Sequence, residues 1–236
     1  MLRKALTQAP SPVVRWRTRA SAAAAAAALA ALTAILAVGP GPVPARAAVD
    51  PEILAKLEVG QPYRDPEGGV TVTFLQKNAS QAAPPGWRTA RSLGCGFAVG
   101  LPGPFNELKI VGATTDGAAL ITDSIGTKTA AGCKLTAICF ERSDHHLSPT
   151  AVADAMAQAA GTGTRLAQSA TAVAGHPAAQ IRVRTKSAVF GMQVVKVEGR
   201  LYQQMLECPQ SEEPSFDRLE RRYFATLALP PPGAKP

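Results

Sequence analysis

The sequence predicts an α+β fold, in which an antiparallel sheet carries helices on its faces and a signal segment precedes the domain. Two observations support this prediction. Short segments of alternating hydrophobicity recur between Gly- and Pro-rich turns, and helical patterns follow groups of strands instead of alternating strictly with them. The chain has 236 residues, of which 46% are hydrophobic and 5% aromatic, a composition that excludes disordered and collagen-like proteins.

The N-terminal 47 residues follow the order of an export signal. Residues 1–19 carry positive charges, residues 20–38 form an uncharged run rich in Ala and Leu, and Ala45-Arg46-Ala47 offers a small-residue cleavage site. We therefore expect cleavage after Ala47 and a periplasmic or extracellular location. The alternative is that residues 20–38 remain as a membrane anchor, since a run of this length can span a bilayer. In that case the chain contacts the membrane through its N-terminal segment.

The positive charge of the chain is concentrated in this leader. The formal net charge is +8, but six of the 25 basic residues precede residue 48 and no acidic residue does. The remainder is close to neutral because it contains all 17 acidic residues. A basic surface for nucleic acid is therefore not expected.

Residues 48–93 read as an extension rich in Pro, Gly and charge, with a single strand at 70–74. The better patterned region begins after it. Residues 96–101, 118–123 and 134–142 alternate as strands and are separated by turn-forming Gly and Pro. This order predicts a meander of three strands.

A helix is predicted to follow the meander. Ser148 is suited to the N-cap and Pro149 to the first helical position, and Gly161 ends the pattern. Between them, apolar residues repeat at helical spacing, namely Val152, Ala155, Met156 and Ala159. The segment is therefore expected to lay one apolar face on the sheet.

A second set of strands is predicted after this helix, at residues 166–172, 180–184, 193–198 and 201–207. A turn at Gly175-His176-Pro177 and one at Gly199-Arg200 connect them. The alternation in the second of these strands predicts that Ile181 and Val183 face inward. Arg182, Arg184 and Lys186 are then expected to form an outward basic stripe in contact with solvent.

The chain is predicted to end with a helix, a short apolar strand at 225–229 and a Pro-rich tail at 230–236. Ser215 is expected to cap the helix. Four large side chains share one helical face and are expected in the core, namely Phe216, Leu219, Tyr223 and Phe224.

Four short motifs in this order resemble the PsbP-like family of exported proteins. They are Gly96-Phe97-Ala98-Val99-Gly100-Leu101-Pro102-Gly103-Pro104, Ala174-Gly175-His176-Pro177, Gly199-Arg200-Leu201-Tyr202-Gln203 and Arg222-Tyr223-Phe224-Ala225-Thr226-Leu227. The resemblance covers residues 94–229 and implies an α/β/α sandwich. It also implies a protein that is not an enzyme, since plant members assist the oxygen-evolving complex of photosystem II. No functional residue is carried over, because a likeness of fold does not fix function.

The four cysteines are expected to form two disulfides in an exported chain. If Cys133 and Cys139 lie on one strand, they are roughly 20 Å apart and cannot bond to each other, because a strand rises about 3.3 Å per residue. Each must then pair with Cys95 or Cys208. The combination of Cys95 with Cys133 and Cys139 with Cys208 is favoured over Cys95 with Cys139 and Cys133 with Cys208, because the members of each favoured pair occupy similar positions in their strands.

A metal site is considered at Asp144-His145-His146, which follows the third strand of the meander. Adjacent His side chains diverge, so a solvated loop is preferred to a site. No catalytic residue, cofactor or metal is predicted. The function expected is a non-catalytic binding or assembly module of the cell envelope, with an envelope protein of unknown identity as its partner. The alternatives are a periplasmic metal-binding protein and an unrecognised hydrolase.

Overall fold

The computed structural model of the chain describes residue 53 and residues 56–66, 69–77, 86–113, 119–141, 148–159 and 163–231. Within these ranges the chain is mostly sheet, with two α-helices. The elements in chain order are β1 Pro62–Arg64, β2 Thr71–Lys77, β3 Arg88–Arg91, β4 Ala98–Leu101, β5 Asn106–Ala113, β6 Ala119–Lys128, β7 Lys134–Phe140, α1 Pro149–Ala159, β8 Thr164–Val173, β9 His176–Arg184, β10 Ala188–Val197, β11 Arg200–Pro209 and α2 Glu213–Phe224. A 3₁₀ turn at Gln210–Glu212 leads from β11 into α2.

Nine strands form one sheet in the order β1-β2-β5-β6-β7-β11-β10-β9-β8, and every neighbouring pair is antiparallel. The meander β5–β7 and the meander β8–β11 meet where β7 pairs with β11. The predicted antiparallel sheet is therefore confirmed. The strands β3 and β4 form a separate hairpin.

The two faces of the sheet bury two separate cores, because consecutive residues of a strand point to opposite sides. Val194 of β10 belongs to the core beneath α1, together with Val152 and Ala153 of that helix. The next residue, Val195, belongs to the core beneath α2 and the β3–β4 hairpin. One helix therefore lies on each face.

The helix α2 buries Phe216, Tyr223 and Phe224, and Leu219 packs against the same core, as the spacing predicts. The predicted cap is wrong. The helix begins at Glu213 with Glu212 at its N-cap, and Ser215 lies in the first turn, where its hydroxyl donates to the carbonyl oxygen of Glu212 at 3.0 Å.

Two parts of the sheet differ from the sequence expectations. β5 is absent from the predicted strands, although Leu108 and Ile110 alternate with polar residues and are buried. Residues 48–93, predicted as an extension with one strand, contribute β1, β2 and β3, and the first two extend the main sheet. Within the described ranges, no helix is long and apolar enough to cross a membrane.

Candidate functional site

The four cysteines form two disulfides, as predicted, but the favoured pairing is wrong. Cys95 bonds to Cys139 and Cys133 bonds to Cys208, with Cα–Cα distances of 6.3 and 4.1 Å. The reason is the antiparallel pairing of β7 with β11, in which Lys134 lies opposite Glu207. The start of one strand therefore meets the end of the other. Two disulfides favour a location outside the cytoplasm.

The predicted metal-site candidates Asp144, His145 and His146 lie outside the described residues. Glu141, which precedes them, is described and forms an ion pair with Lys109 at 3.4 Å.

The strand β8 occupies one end of the nine-stranded sheet and pairs with β9. Nine of its ten residues are exposed, from Thr164 to Ala172, and Val173 is half-buried. The single charged side chain, Arg165, forms an ion pair with Asp154 of α1 at 3.1 Å. Because a terminal strand has hydrogen-bonding groups on its outer side that no neighbouring strand uses, β8 presents an edge on which another strand can pair.

An open cleft lies at the C-terminal end of β8, between the β8–β9 turn and the last turn of α2. Its volume is about 470 Å³. Val173, Phe224 and Leu227 form apolar walls, Gln180 and Gln193 line it from the sheet, and the exposed Arg221 adds a cation. A volume of this size lies in the range of ligand sites, roughly 300–1,000 Å³. We call this feature, together with β8, the edge site.

A row of glutamines supports the cleft. Gln180 donates to Gln193 at 2.6 Å, and Gln193 donates to Gln204 at 2.9 Å. Gln204 in turn donates to the carbonyl oxygen of Tyr223 at 2.8 Å, in the last turn of α2. The last of these bonds uses a carbonyl group of the kind that a helix end leaves without an intrahelical partner. The row therefore fixes the end of α2, and the cleft wall with it, against the sheet.

The predicted solvated stripe is wrong for Arg182 and Arg184, whereas Lys186 is exposed as expected. Arg182 forms ion pairs with Asp217, at 2.6 Å, and with Glu220, and Arg184 pairs with Glu213, so both arginines bind α2. Burial raises the pKa of Glu220, while the hydrogen bond from Arg182 opposes this rise. Arg182 also lies over the ring of Phe216, with 5.2 Å between the guanidinium carbon and the ring centroid. Arg182 and Arg184 are thus part of the attachment of α2 to β9.

A second polar region surrounds the Cys95–Cys139 disulfide. Glu107 of β5 is fully buried and accepts hydrogen bonds from the hydroxyl of Ser92 at 2.7 Å and the backbone N–H of Leu93 at 2.8 Å. Gln76 donates to the same carboxylate at 2.6 Å. Glu107 therefore fixes the loop between β3 and β4 that carries Cys95.

Asp123 of β6 is the neighbouring buried carboxyl group. It is 0% exposed, its Oδ2 lies 3.3 Å from the Sγ of Cys95, and its Oδ1 has no hydrogen-bond partner. Burial raises its pKa to about 7; Glu141 and Glu107 add to the rise, and Lys109 opposes it. Near neutral pH this carboxyl group is therefore close to half-protonated.

Gly94 makes room for this carboxyl group. A Cβ atom at that position would overlap the Asp123 carboxylate. Donor atoms of Cys95, Asp123 and Glu141 lie within 4.8 Å of one another, but the sulfur of Cys95 is held in a disulfide and is not available as a thiolate. Because metals bind the thiolate, the cluster in its oxidised form is not a thiolate metal centre.

Sequence reasoning missed both Asp123 and the edge site. Asp123 is the last residue of the predicted strand at 118–123, and the sequence of that strand does not indicate that its carboxyl group is buried. Only the register of β6 with β7, which places Asp123 opposite Cys139, distinguishes it from an acidic residue at the surface. For β8, the low charge of the segment was visible, but its position at the end of the sheet depends on the whole topology.

No protein-family model matches the chain, and no curated protein matches it. Among solved structures, the chain is similar to the solution structure of cyanobacterial PsbP from Synechocystis sp. PCC 6803, with 9% identity, a TM-score of 0.46, and coverage of 63% of this chain and 95% of that chain. It is also similar to LpqN, described as involved in cell envelope biogenesis of Mycobacterium tuberculosis, with 14% identity, a TM-score of 0.33, and coverage of 72% and 90%.

One of these two structures is a PsbP, the family that the sequence motifs resemble. At these identities and TM-scores, function has to be argued from the residues of this chain.

Proposed function

We propose that this protein is a non-catalytic binding or assembly module that acts in the periplasm or outside the cell, and that the edge site binds an extended segment of an envelope protein. The observation that carries the proposal is that, among the described residues, no strand pairs with the outer edge of β8. Strand addition to such an edge supplies main-chain hydrogen bonds, and pockets beside it select side chains.

The two ends of the sheet differ in a way that supports this proposal. Natural proteins protect sheet edges with short strands, Pro, Lys or β-bulges. At one end β1 has three residues, whereas β8 at the other end has ten and contains neither Pro nor Lys. The one charge of β8, on Arg165, is paired with Asp154. The edge of β8 is therefore long, and among these protections it has only a register shift between Arg165 and Ala167 near its start.

The chemistry of the partner follows from the cleft. Glu220 faces it but is paired with Arg182, whereas Arg221 lines the cleft as an exposed cation. The walls formed by Val173 and Phe224 accept an apolar side chain. We expect a segment that pairs along β8 and places an apolar residue followed by an acidic residue, or a terminal carboxylate, at the cleft.

Site-specific photo-crosslinking tests the location of the binding surface. A photoreactive residue in place of Ser169 in β8 is compared with one in place of Lys128, which is exposed at the end of β6 and separated from β8 by four strands. We expect one specific adduct with an envelope protein from position 169 and none from position 128. Equal adducts from both positions, or none from 169, would contradict the proposal.

Two substitutions then test the two parts of the surface. Ala170→Lys places a protecting charge on the edge, and Arg221→Glu reverses the charge of the cleft. Both residues are exposed, so the fold is expected to be unchanged by circular dichroism. We expect each variant to reduce the yield of the adduct about tenfold. This factor corresponds to a loss of about 1.4 kcal/mol of binding free energy.

A further inference from the structure

We propose that Asp123 is the proton donor for opening of the Cys95–Cys139 disulfide by a dithiol reductant, and that this bond is a redox-active site whereas Cys133–Cys208 is structural. The proposal rests on the geometry around the two disulfides and is independent of the edge site.

The first step of the argument is the contact between Asp123 and Cys95. Oδ2 of Asp123 lies 3.3 Å from Sγ of Cys95, and because a disulfide sulfur carries no proton, only a protonated Asp123 can supply a hydrogen to this contact. Asp123 is buried, and its other oxygen has no hydrogen-bond partner. Its burial raises the pKa to about 7, so a proton is present at this position near neutral pH. The carboxyl group is thus held against the sulfur, and it is mostly in its acid form below about pH 7.

The chemistry of opening makes use of this proton. A thiolate of the dithiol attacks Sγ of Cys139 and forms a mixed disulfide, while the electron pair of the broken S–S bond goes to Sγ of Cys95. That sulfur takes the proton of Asp123 and leaves as a thiol. The second thiol of the reductant then loses its proton and attacks the reductant sulfur of the mixed disulfide, and Sγ of Cys139 leaves with the electron pair and takes up that proton. The reductant is oxidised to its disulfide, and the protein gains two electrons.

The loop that carries Cys95 offers a route to the buried bond. Both sulfurs are inaccessible in the closed state, since Cys95 is 1% and Cys139 0% exposed. Cys139 lies within β7, but Cys95 lies in the loop between β3 and β4, next to Leu93, which is 63% exposed. The backbone of this loop is held by the carboxylate of Glu107. Release of the loop from Glu107 therefore gives a reductant access to the bond without separation of the strands of the main sheet. Until the bond opens, it keeps Sγ of Cys95 at Cys139, which lies opposite Asp123.

The second disulfide lacks these features. Cys133 and Cys208 flank the last residue pair of β7 and β11, so their bond ties two strands of the main sheet together. The nearest charged residues in sequence, Lys134 and Glu207, form an ion pair at 2.8 Å, and strand alternation places them on the opposite face of the sheet. Among the described residues, no carboxyl group contacts either of these sulfurs. The second bond thus serves as an internal reference.

The test measures how fast each disulfide opens in the mature, folded protein. The protein is treated with dithiothreitol between pH 5 and 9, quenched by alkylation, and both bonds are followed by peptide mass spectrometry. The ratio of the two opening rates removes the pH dependence of the reductant itself. We expect the ratio, Cys95–Cys139 over Cys133–Cys208, to be high below pH 7 and to fall as pH rises through about 7, because Asp123 then loses its proton.

Substitution of the donor gives the second readout. At pH 6 we expect Asp123→Asn to lower the ratio about tenfold or more, since general acids typically contribute 10²–10⁴-fold, and to make it independent of pH. An unchanged ratio in this variant, or the same pH profile in variant and parent, would overturn the proposal.

Two partly exposed neighbours keep the test decisive if Asp123→Asn does not fold. Glu141 raises the pKa of Asp123 and Lys109 lowers it, while Glu107, the other facing carboxylate, is left in place to hold the loop. In Glu141→Gln the midpoint of the ratio is therefore expected at lower pH, and in Lys109→Met at higher pH. Midpoints that stay at the parent value in both variants would refute the role of Asp123.

Discussion

Burial of Asp123 predicts that the protein loses stability as pH rises from 4 to 7. The carboxyl group has a pKa of about 7 in the folded protein, against 3.8 for an unperturbed Asp. Between these values the unfolded chain is ionised at this position, whereas the folded chain still holds the proton. The folded state therefore binds more protons, and the free energy of unfolding decreases with increasing pH through this window. Below about pH 4 both states are protonated, and the contribution is fully present.

The magnitude follows from the difference between the two pKa values. About three units at 1.36 kcal/mol each correspond to about 4 kcal/mol of stability lost between pH 4 and pH 8. This is a large part of the total for a single domain, which is typically about 5–15 kcal/mol. Asp123→Asn removes the titration and keeps the size of the side chain. The free energy of unfolding of the parent, minus that of the variant, should then fall by about 4 kcal/mol over this range.

Urea denaturation of the oxidised protein at pH 4.5, 6 and 8 measures this difference. Asp154→Asn serves as the control, because the carboxylate of Asp154 is partly exposed and pairs with Arg165 at the surface. For the control we expect a change below about 1 kcal/mol across the same range, the usual contribution of an exposed ion pair. A difference between parent and Asp123→Asn that does not vary with pH would refute the reasoning. A difference that rises with pH would show that Asp123 is stabilised as a carboxylate.

Four further predictions follow from the packing, the disulfides and the leader. Phe224→Ala should cost roughly 3–5 kcal/mol and lower the melting temperature, since its ring is buried beneath α2; an unshifted melt would assign the ring to a binding surface. Gly94→Ala should lower stability by roughly 1–3 kcal/mol in urea denaturation, because the added Cβ meets a buried carboxylate. Removal of the second disulfide with Cys133→Ala and Cys208→Ala should lower the free energy of unfolding by roughly 2–4 kcal/mol in the same assay, because the bond closes a loop with a sequence separation of 75. N-terminal sequencing of the envelope form should find a start near residue 48, and a start at Met1 with membrane association would identify an uncleaved anchor.

Much of the sheet could be predicted from the sequence because strand alternation is a local signal. Ile181 and Val183 were expected to face inward, and both are buried in the core beneath α1. The core face of α2 was predicted for the same reason, since its large side chains recur at helical spacing. Local patterns of this kind determine which residues are buried, whatever the order of the strands.

Properties that depend on strand order were not accessible in the same way. The favoured disulfide pairing grouped Cys95 with Cys133 by their similar positions in strands, and it failed because neighbouring strands run in opposite directions. The basic stripe at Arg182 was placed in solvent because its strand alternates, but the opposite face is covered by α2, whose acids pair with it. Strand alternation assigns side chains to the two faces of the sheet, but the topology determines which element covers each face.

Asp123 shows why the polar region around the disulfide requires the structure. Its strand segment reads as a typical half-buried strand, and a carboxylate there is expected to face water. The register instead places Asp123 opposite Lys109 on one side and Cys139 on the other, beneath the loop of Cys95. Gly94 in that loop leaves the space that the carboxyl group occupies. Burial of this group opposes its ionisation at neutral pH, and the contact with Cys95 places the retained proton where an opening disulfide can use it.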